Sequence, residues 1–208
     1  IFALLLNEIR ANKFKRTVQT LTYLPHFISM TVLCGIILDF FSTGGVINDL
    51  ITMFGGERVS FFTIPKYFKP IYIGTDIWQG FGWGSIIYLA ALSAIDPTLY
   101  EAATIDGAGR FKQVIHITIP GILPTVIIMF ILKFGHMMSL GSQKILLLYN
   151  PNIYETSDVI STFVYRQGLL GAQYSYTTAV DLFSATINVI LLLSINALSR
   201  KISETSLW

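Results

Sequence analysis

Charge is what this sequence has least of. Of its 208 residues only 12% are charged and 53% are hydrophobic. Soluble domains carry about twice that charged fraction. The small net charge of +2 gives no basis for nucleic-acid binding. This composition excludes an ordinary water-soluble domain and indicates an all-α integral membrane protein.

Cysteine and catalytic motifs are also scarce. The one cysteine, Cys34, lies in an apolar run and cannot form an internal disulfide, which is typical of a small buried residue. No Gly-x-x-x-x-Gly-Lys-Ser/Thr loop is present, so the chain is not itself an ATPase. His26, His116 and His136 lie on separate segments without a His-Glu-x-x-His pattern. We therefore predict no metal site and reject an intramembrane enzyme, because Cys34 also lacks an evident base.

The chain begins at Ile1, without an initiator methionine or a signal-peptide n-region. Residues 1–6 are all apolar and resemble the end of a helix. Six residues cannot cross a hydrocarbon core, which needs about 20. We expect the sequence to be N-terminally truncated, with further spans in the missing part.

Four longer segments suit membrane spans, because each is nearly free of charge. We predict spanning helices over residues 17–38, 71–95, 118–140 and 177–198. Pro25 lies inside the first, which a membrane helix tolerates when neighbours satisfy the freed carbonyl. The segments 39–70 and 141–176 are predicted as long loops, with short interfacial helices near 46–54 and 158–165.

Orientation follows from lysine and arginine near the span ends. Residues 7–16, the short loop 96–117 and the C-terminal tail hold eight of these residues. The two long loops hold five, spread over far more chain. We predict that the dense side is cytoplasmic and that 39–70 and 141–176 are extracytoplasmic.

The loop 96–117 has a definite predicted shape. Asp96 is placed to cap a short helix that Pro97 begins, and Gly107 and Gly109 are placed to end it. The chain then returns to the membrane, where Pro120 is predicted to restart a helix. A plain polar connector between spans would have the same features, so the shape alone does not identify a function.

The spacing of this loop is more informative. It reads Glu-Ala-Ala, three residues, Gly, nine residues, then Ile-x-Ile-Pro, at Glu101, Ala102, Ala103, Gly107, Ile117, Ile119 and Pro120. This resembles the signature of permease subunits of ATP-binding-cassette importers, in which Leu is commoner at the Ile119 position. Further segments resemble permeases that import oligosaccharides or polysaccharide fragments, at 6–10, 19–29, 88–92, 158–166 and 206–208. Asp181 departs from that pattern, in which a small residue is expected.

The resemblance implies the helical transmembrane bundle of a type I importer in a bacterial inner membrane. It implies a second homologous permease, two ATPase subunits that bind ATP and Mg, and an extracellular solute-binding lipoprotein. The short helix would be the coupling helix, with Glu101 as polar anchor, Ala102 and Ala103 allowing close approach, and Gly107 permitting the turn beside Asp106. ATP binding would move this helix and switch the pore as a rigid-body, two-state transition. No cofactor is expected in this chain.

Polar groups inside spans tend to face a wet cavity, and aromatic faces bind sugars. The candidates for an oligosaccharide path are Gln79, Trp83, Lys133, His136, Ser184 and Asn188. Each has a plainer interpretation, since amides bond neighbouring helices, lysines reach the interface, and tryptophans pack or form interfacial belts. Lys133 with His136 favours an acidic sugar.

Two other transport interpretations remain open. The same scaffold could import a peptide, an amino acid or phosphate, and neighbouring genes for a sugar-binding lipoprotein or a glycoside hydrolase would discriminate. A secondary transporter would not need the Glu-Ala-Ala loop, and transport that survives loss of the ATPase would revive that interpretation.

Overall fold

The computed structural model describes residues 1–135, 137 and 141–202. Within these residues the secondary structure is helical and contains no strand, which confirms the all-α prediction. The α-helices are α1 (Phe2–Glu8), α2 (Asn12–Tyr23), α3 (Met30–Phe40), α4 (Val46–Met53), α5 (Pro65–Ser93), α6 (Pro97–Ile105), α7 (Arg110–Gln113), α8 (Ile119–Gly135), α9 (Ser142–Leu148), α10 (Tyr154–Ser157), α11 (Ile160–Val164) and α12 (Tyr174–Ile202).

The first predicted span is broken, so the prediction of one continuous helix over 17–38 is wrong. The helical stretch Asn12–Phe27 and helix α3 meet at an angle of 99°. Pro25 lies in the short 3₁₀ turn at the break, because proline lacks the N–H that would continue the α-helical bonding. Ser29 then begins α3 by accepting a hydrogen bond from the backbone N–H of Val32 at 3.4 Å.

The helix after the short loop begins earlier than predicted. A continuous helix runs from Arg110 to Gly135, so Pro120 does not restart it. The turn at Val114–Thr118 is π-helical and ends two residues before the proline. A π turn widens the backbone where proline cannot donate to the carbonyl four residues earlier, which lets the helix pass through Pro120.

Among the described residues, two helices are long and apolar enough to cross a membrane, Arg110–Gly135 and Tyr174–Arg200, and the bent pair could supply a third. Helix α5 has 29 residues and includes 71–93 of the predicted span 71–95. Its glycines and polar residues make it less apolar than those two helices. That α5 crosses the membrane therefore stays a prediction.

The chain divides into two compact units. Unit 1 comprises Ile1–Tyr23, Phe81–Met137 and Ile187–Trp208, and unit 2 comprises Leu24–Gly80 and Met138–Thr186. In unit 1, Ala3, Leu92 and Ile122 form a small buried cluster.

Unit 2 has the larger core, and both predicted long loops contribute to it. Its buried apolar side chains are Leu33, Cys34, Ile37, Phe61, Phe68, Ile71, Ile145, Leu148 and Ile153. Asn48 is fully buried in α4, where its amide donates to the carbonyls of Ser42 and Val59 at 2.7 and 2.9 Å. The segments 39–70 and 141–176 are therefore folded helical layers rather than open loops.

Candidate functional site

The loop helix α6 begins as its sequence predicts. The Asp96 carboxylate accepts a hydrogen bond from the backbone N–H of Thr98 at 2.9 Å, and Pro97 occupies the first helical position. That hydrogen bond lowers the pKa of Asp96 below its usual range, because it stabilises the ionised carboxylate.

The end of α6 is a Schellman motif. The N–H of Ala108 donates to the carbonyl of Ala103 at 2.8 Å, and the N–H of Gly107 donates to that of Thr104 at 3.1 Å. Gly107 has φ +75°, a left-handed conformation that favours glycine. Gly109, predicted to share this turn, instead precedes α7 with φ −67°.

Side-chain contacts hold α6 against the following helix. The Gln113 amide donates to the Thr104 hydroxyl at 3.0 Å and to the carbonyl of Ala108 at 3.1 Å. The hydroxyls of Tyr100 and Thr118 lie 3.0 Å apart. The sequence did not identify these four residues, because their contacts join positions that no local pattern relates.

The same loop presents an exposed mixed surface. Glu101, Ala102, Asp106 and Gly107 are exposed, and Ala103 is half-buried. Three large apolar side chains that the sequence analysis did not select are also exposed: Leu99 at 51%, Ile105 at 87% and Phe111 at 77%. A braced helix with exposed apolar groups and a carboxylate suits docking to another protein.

The predicted path residues are distributed over both units. Gln79 and Ser184 belong to unit 2, whereas Trp83, Lys133 and Asn188 belong to unit 1. His136 lies outside the described residues.

The side-chain contacts of the path residues partly favour their plainer interpretation. The Gln79 amide donates to the carbonyl of Ile28 at 3.4 Å, so it bonds the break before α3. The Ser184 hydroxyl donates to the carbonyl of Val180 at 3.0 Å in its own helix. Trp83 is 43% exposed, and Lys133 is also exposed.

Lys144 is a buried cation that the sequence did not predict. Its side chain is 2% exposed, and its ammonium donates to the carbonyl of Tyr72 at 3.1 Å. The ammonium also lies 3.5 Å from the Asp76 carboxylate and 4.6 Å from the Tyr72 ring centroid. Burial lowers the pKa of Lys144, and Asp76 opposes that shift. This cation ties α9 to α5 within unit 2.

Among the described residues, no group of three or more His, Cys, Asp or Glu side chains could hold a metal ion. The geometry therefore offers a braced docking helix and polar side chains on long helices.

The chain matches known proteins over nearly its whole length. The family described as "Binding-protein-dependent transport system inner membrane component" matches residues 1–204. The polygalacturonan/rhamnogalacturonan transport system permease protein YteP of Bacillus subtilis (strain 168) is 44% identical over 100% of this chain and 65% of its own length. Protein LplB of the same organism is 41% identical over 100% of this chain and 66% of its own length. The chain thus spans about two thirds of these relatives.

Solved structures agree with these relatives. A bacterial ABC transporter involved in the import of the acidic polysaccharide alginate has a chain that is 43% identical, with a TM-score of 0.95 over 97% of this chain and 71% of that one. The bacterial alginate ABC transporter in complex with an alginate pentasaccharide-bound periplasmic protein gives a TM-score of 0.96 at 43% identity, over 99% of this chain and 72% of that one. The chain belongs to the family of binding-protein-dependent transport system inner membrane components.

Proposed function

We propose that this chain is the permease subunit of an ATP-driven, binding-protein-dependent importer of oligosaccharides. It forms part of the translocation path and hydrolyses no ATP itself. The family match supports the permease role. The relatives named for polygalacturonan, rhamnogalacturonan and alginate transport support the carbohydrate class.

One observation carries the coupling role, namely the braced helix α6 with its exposed mixed surface. Glu101 supplies a charged anchor, Ala102 and Ala103 leave room for a partner helix or groove, and Gly107 closes the turn beside Asp106. The bonds from Gln113 to Thr104 and between Tyr100 and Thr118 keep α6 fixed to the helix that begins at Arg110. A push on α6 is therefore transmitted to a long apolar helix.

The partners follow from this role. A second homologous permease completes the pore, and two ATPase subunits bind ATP and Mg below the coupling loops. An extracellular solute-binding lipoprotein delivers the sugar on the opposite side. The segments 7–16 and 96–117 and the C-terminal tail, which together hold eight lysine and arginine residues, face the cytoplasm of the bacterial cell.

The substrate path uses polar side chains on the spans. Gln79, Trp83, Ser184 and Asn188 supply hydrogen bonds and an aromatic face. Lys133 with His136 adds positive charge, which favours an acidic sugar such as a uronic-acid oligomer. A peptide, amino acid or phosphate would leave the aromatic groups without a role.

The test of coupling is ATP hydrolysis by the complete complex in lipid, with sugar-loaded binding protein. Gly107→Asp is compared with Gly44→Asp, the same change at an exposed glycine of the segment 39–70 with no atom near its Cβ position. We expect Gly107→Asp to abolish stimulation by the binding protein while the complex still assembles, and Gly44→Asp to hydrolyse ATP normally. If the binding protein still stimulates ATP hydrolysis in Gly107→Asp, the loop is a plain connector between spans and not a coupling helix.

The test of charge selection is uptake by Lys133→Ala. We expect this variant to lose uptake of an acidic oligosaccharide more than uptake of a neutral one of equal length. Equal effects on both sugars would remove Lys133 from the selection of charge.

A further inference from the structure

A cleft in unit 2 has no role in the function proposed so far. Its volume is about 390 Å³, within the range of about 300–1,000 Å³ found for small-molecule sites. Helices α9 and α11, the π-helical segment Tyr165–Leu170 and the start of α12 form its walls. Turns of the π type occur frequently at functional sites.

Two threonine hydroxyls in this cleft already have their hydrogens engaged. The hydroxyls of Thr177 and Thr178 donate to the carbonyls of Gln173 and Tyr174 at 3.0 and 2.8 Å. Thr178 is exposed and keeps oxygen lone pairs that can accept a hydrogen bond, whereas Thr177 is buried against Gly168. Asp181 adds a carboxylate, which has no hydrogen-bond or ion-pair partner within the described part of the chain.

Aromatic side chains flank these acceptors. Tyr165 is 38% exposed and Tyr174 is 60% exposed, and both line the cleft. None of the described residues that line it is basic. Beside Thr178 and Asp181, the cleft therefore favours a ligand that supplies hydrogen-bond donors, carries no negative charge and offers a face to a tyrosine ring.

A sugar ring without a carboxylate has these properties. We propose that the cleft binds one uncharged sugar unit of the transported oligosaccharide, with Asp181 and Thr178 accepting hydrogen bonds from its hydroxyls. The proposal rests on the import function proposed above and adds a specificity-determining residue, Asp181, at the outer end of the last span. Charged side chains in spans are costly and mark substrate pathways, which fits a carboxylate at this position.

Two other ligands fit the cleft less well, a uronic-acid unit and a calcium ion. A uronic-acid unit would place its carboxylate beside Asp181, and like charges repel. Calcium takes six to eight oxygen ligands, commonly from several carboxylates, whereas Asp181 is the one carboxylate among the described lining residues. An oligosaccharide with both uncharged and acidic units would satisfy Asp181 here and the positive charge proposed at Lys133.

The first test is protection of a thiol in the cleft. Thr178→Cys is made in a Cys34→Ala background, in the complete transport complex, and its labelling by a water-soluble maleimide is measured on this chain. The probes are a galacturonic-acid trisaccharide and the same trisaccharide with its carboxylates methyl-esterified. We expect only the esterified sugar to slow labelling, by about threefold or more. Thr186→Cys is the control, because Thr186 is exposed on the same helix and makes the same type of bond, to Leu182 at 2.8 Å, outside the cleft.

The second test is transport selectivity in proteoliposomes. Asp181→Asn keeps the shape of the side chain and removes its charge. We expect it to raise the ratio of acidic to esterified trisaccharide uptake by about tenfold, the usual range for a hydrogen bond to a charged group. Thr186→Val should leave the ratio unchanged.

The outcomes separate this proposal from the import function. An unchanged uptake ratio in Asp181→Asn, in a complex that transports sugar, overturns the cleft site and leaves the permease role intact. If sugar-loaded binding protein does not stimulate ATP hydrolysis by the native complex, sugar import is overturned. The labelling test then still shows whether the cleft binds the esterified sugar. Protection that follows calcium rather than sugar also overturns the proposal.

Discussion

At the scale of single residues, Gly107 has the backbone conformation that closes the loop helix. Its φ of +75° is strained for any residue with a Cβ, while no atom lies within 4 Å of that position. We expect Gly107→Ala to lower the free energy of unfolding by about 1 kcal/mol, because only the backbone conformation is penalised. Thermal unfolding of the purified complex would measure this.

Gly109→Ala is the matched control. Gly109 also has open space around its Cβ position, but its φ is −67°. Alanine there should be neutral or slightly stabilising, because it restricts the unfolded chain. Equal losses in both variants would show that the turn does not depend on the left-handed conformation.

Asp158 forms a half-buried ion pair in the segment 141–176. Its carboxylate accepts hydrogen bonds from both terminal nitrogens of Arg166, at 3.1 and 2.6 Å, and from the Thr162 hydroxyl at 2.7 Å. The Arg166 guanidinium holds the pKa of Asp158 below its ordinary value of 3.8. Because the folded pKa is lowered, the pair stabilises the fold fully above about pH 4 and loses that contribution as the pH falls through the folded pKa.

We therefore expect Asp158→Asn to cost about 1–3 kcal/mol of stability near pH 7, since a charge-assisted hydrogen-bonded pair is broken. The difference from the native chain should shrink in acid, and thermal unfolding between pH 7 and pH 3 measures it. Asp49→Asn is the control, because its pair with Arg58 is 60% and 47% exposed and should contribute under about 1 kcal/mol. A pH-independent difference for Asp158→Asn would contradict the electrostatic account.

At the scale of elements, the π-helical segment and α12 approach closely at Gly168. A Cβ placed there would lie 2.7 Å from the Thr177 hydroxyl and 3.2 Å from two of its carbon atoms. We expect Gly168→Ala to cost about 1–3 kcal/mol, because the two elements must separate. Gly141→Ala, with no atom within 4 Å, should cost clearly less, and comparable unfolding temperatures for the two variants would refute the close-packing argument.

Local signals predicted the short elements well. Asp96, Pro97 and Gly107 defined α6, because capping and turn preferences act within a few residues. The effects of Pro25 and Pro120 on their helices were predicted incorrectly. The first lies at the break of its helix, whereas the helix continues through the second after a π turn, and sequence periodicity does not reveal that turn.

At the scale of the whole molecule, composition predicted the membrane class but not the interior. The buried position of Lys144 depends on Tyr72 and Asp76, more than sixty residues away in the chain, so no local pattern could show it. The core of unit 2 is likewise assembled from residues scattered between 33 and 153. The cleft beside Asp181 is also lined by residues from 142 to 181, which no local pattern relates.

Orientation in the membrane is a property of the entire chain, and cysteine accessibility tests it. Three exposed side chains report on three segments: Glu57→Cys on 39–70, Glu155→Cys on 141–176 and Lys112→Cys on 96–117. Cys34 is 2% exposed, so it contributes little background. Because lysine and arginine are densest on the side that holds residues 7–16, the loop 96–117 and the tail, we expect an impermeant maleimide to label positions 57 and 155 in right-side-out vesicles, and position 112 only after permeabilisation. The reverse pattern would place α6 outside the cell, where no ATPase could reach it, and would remove the basis for coupling.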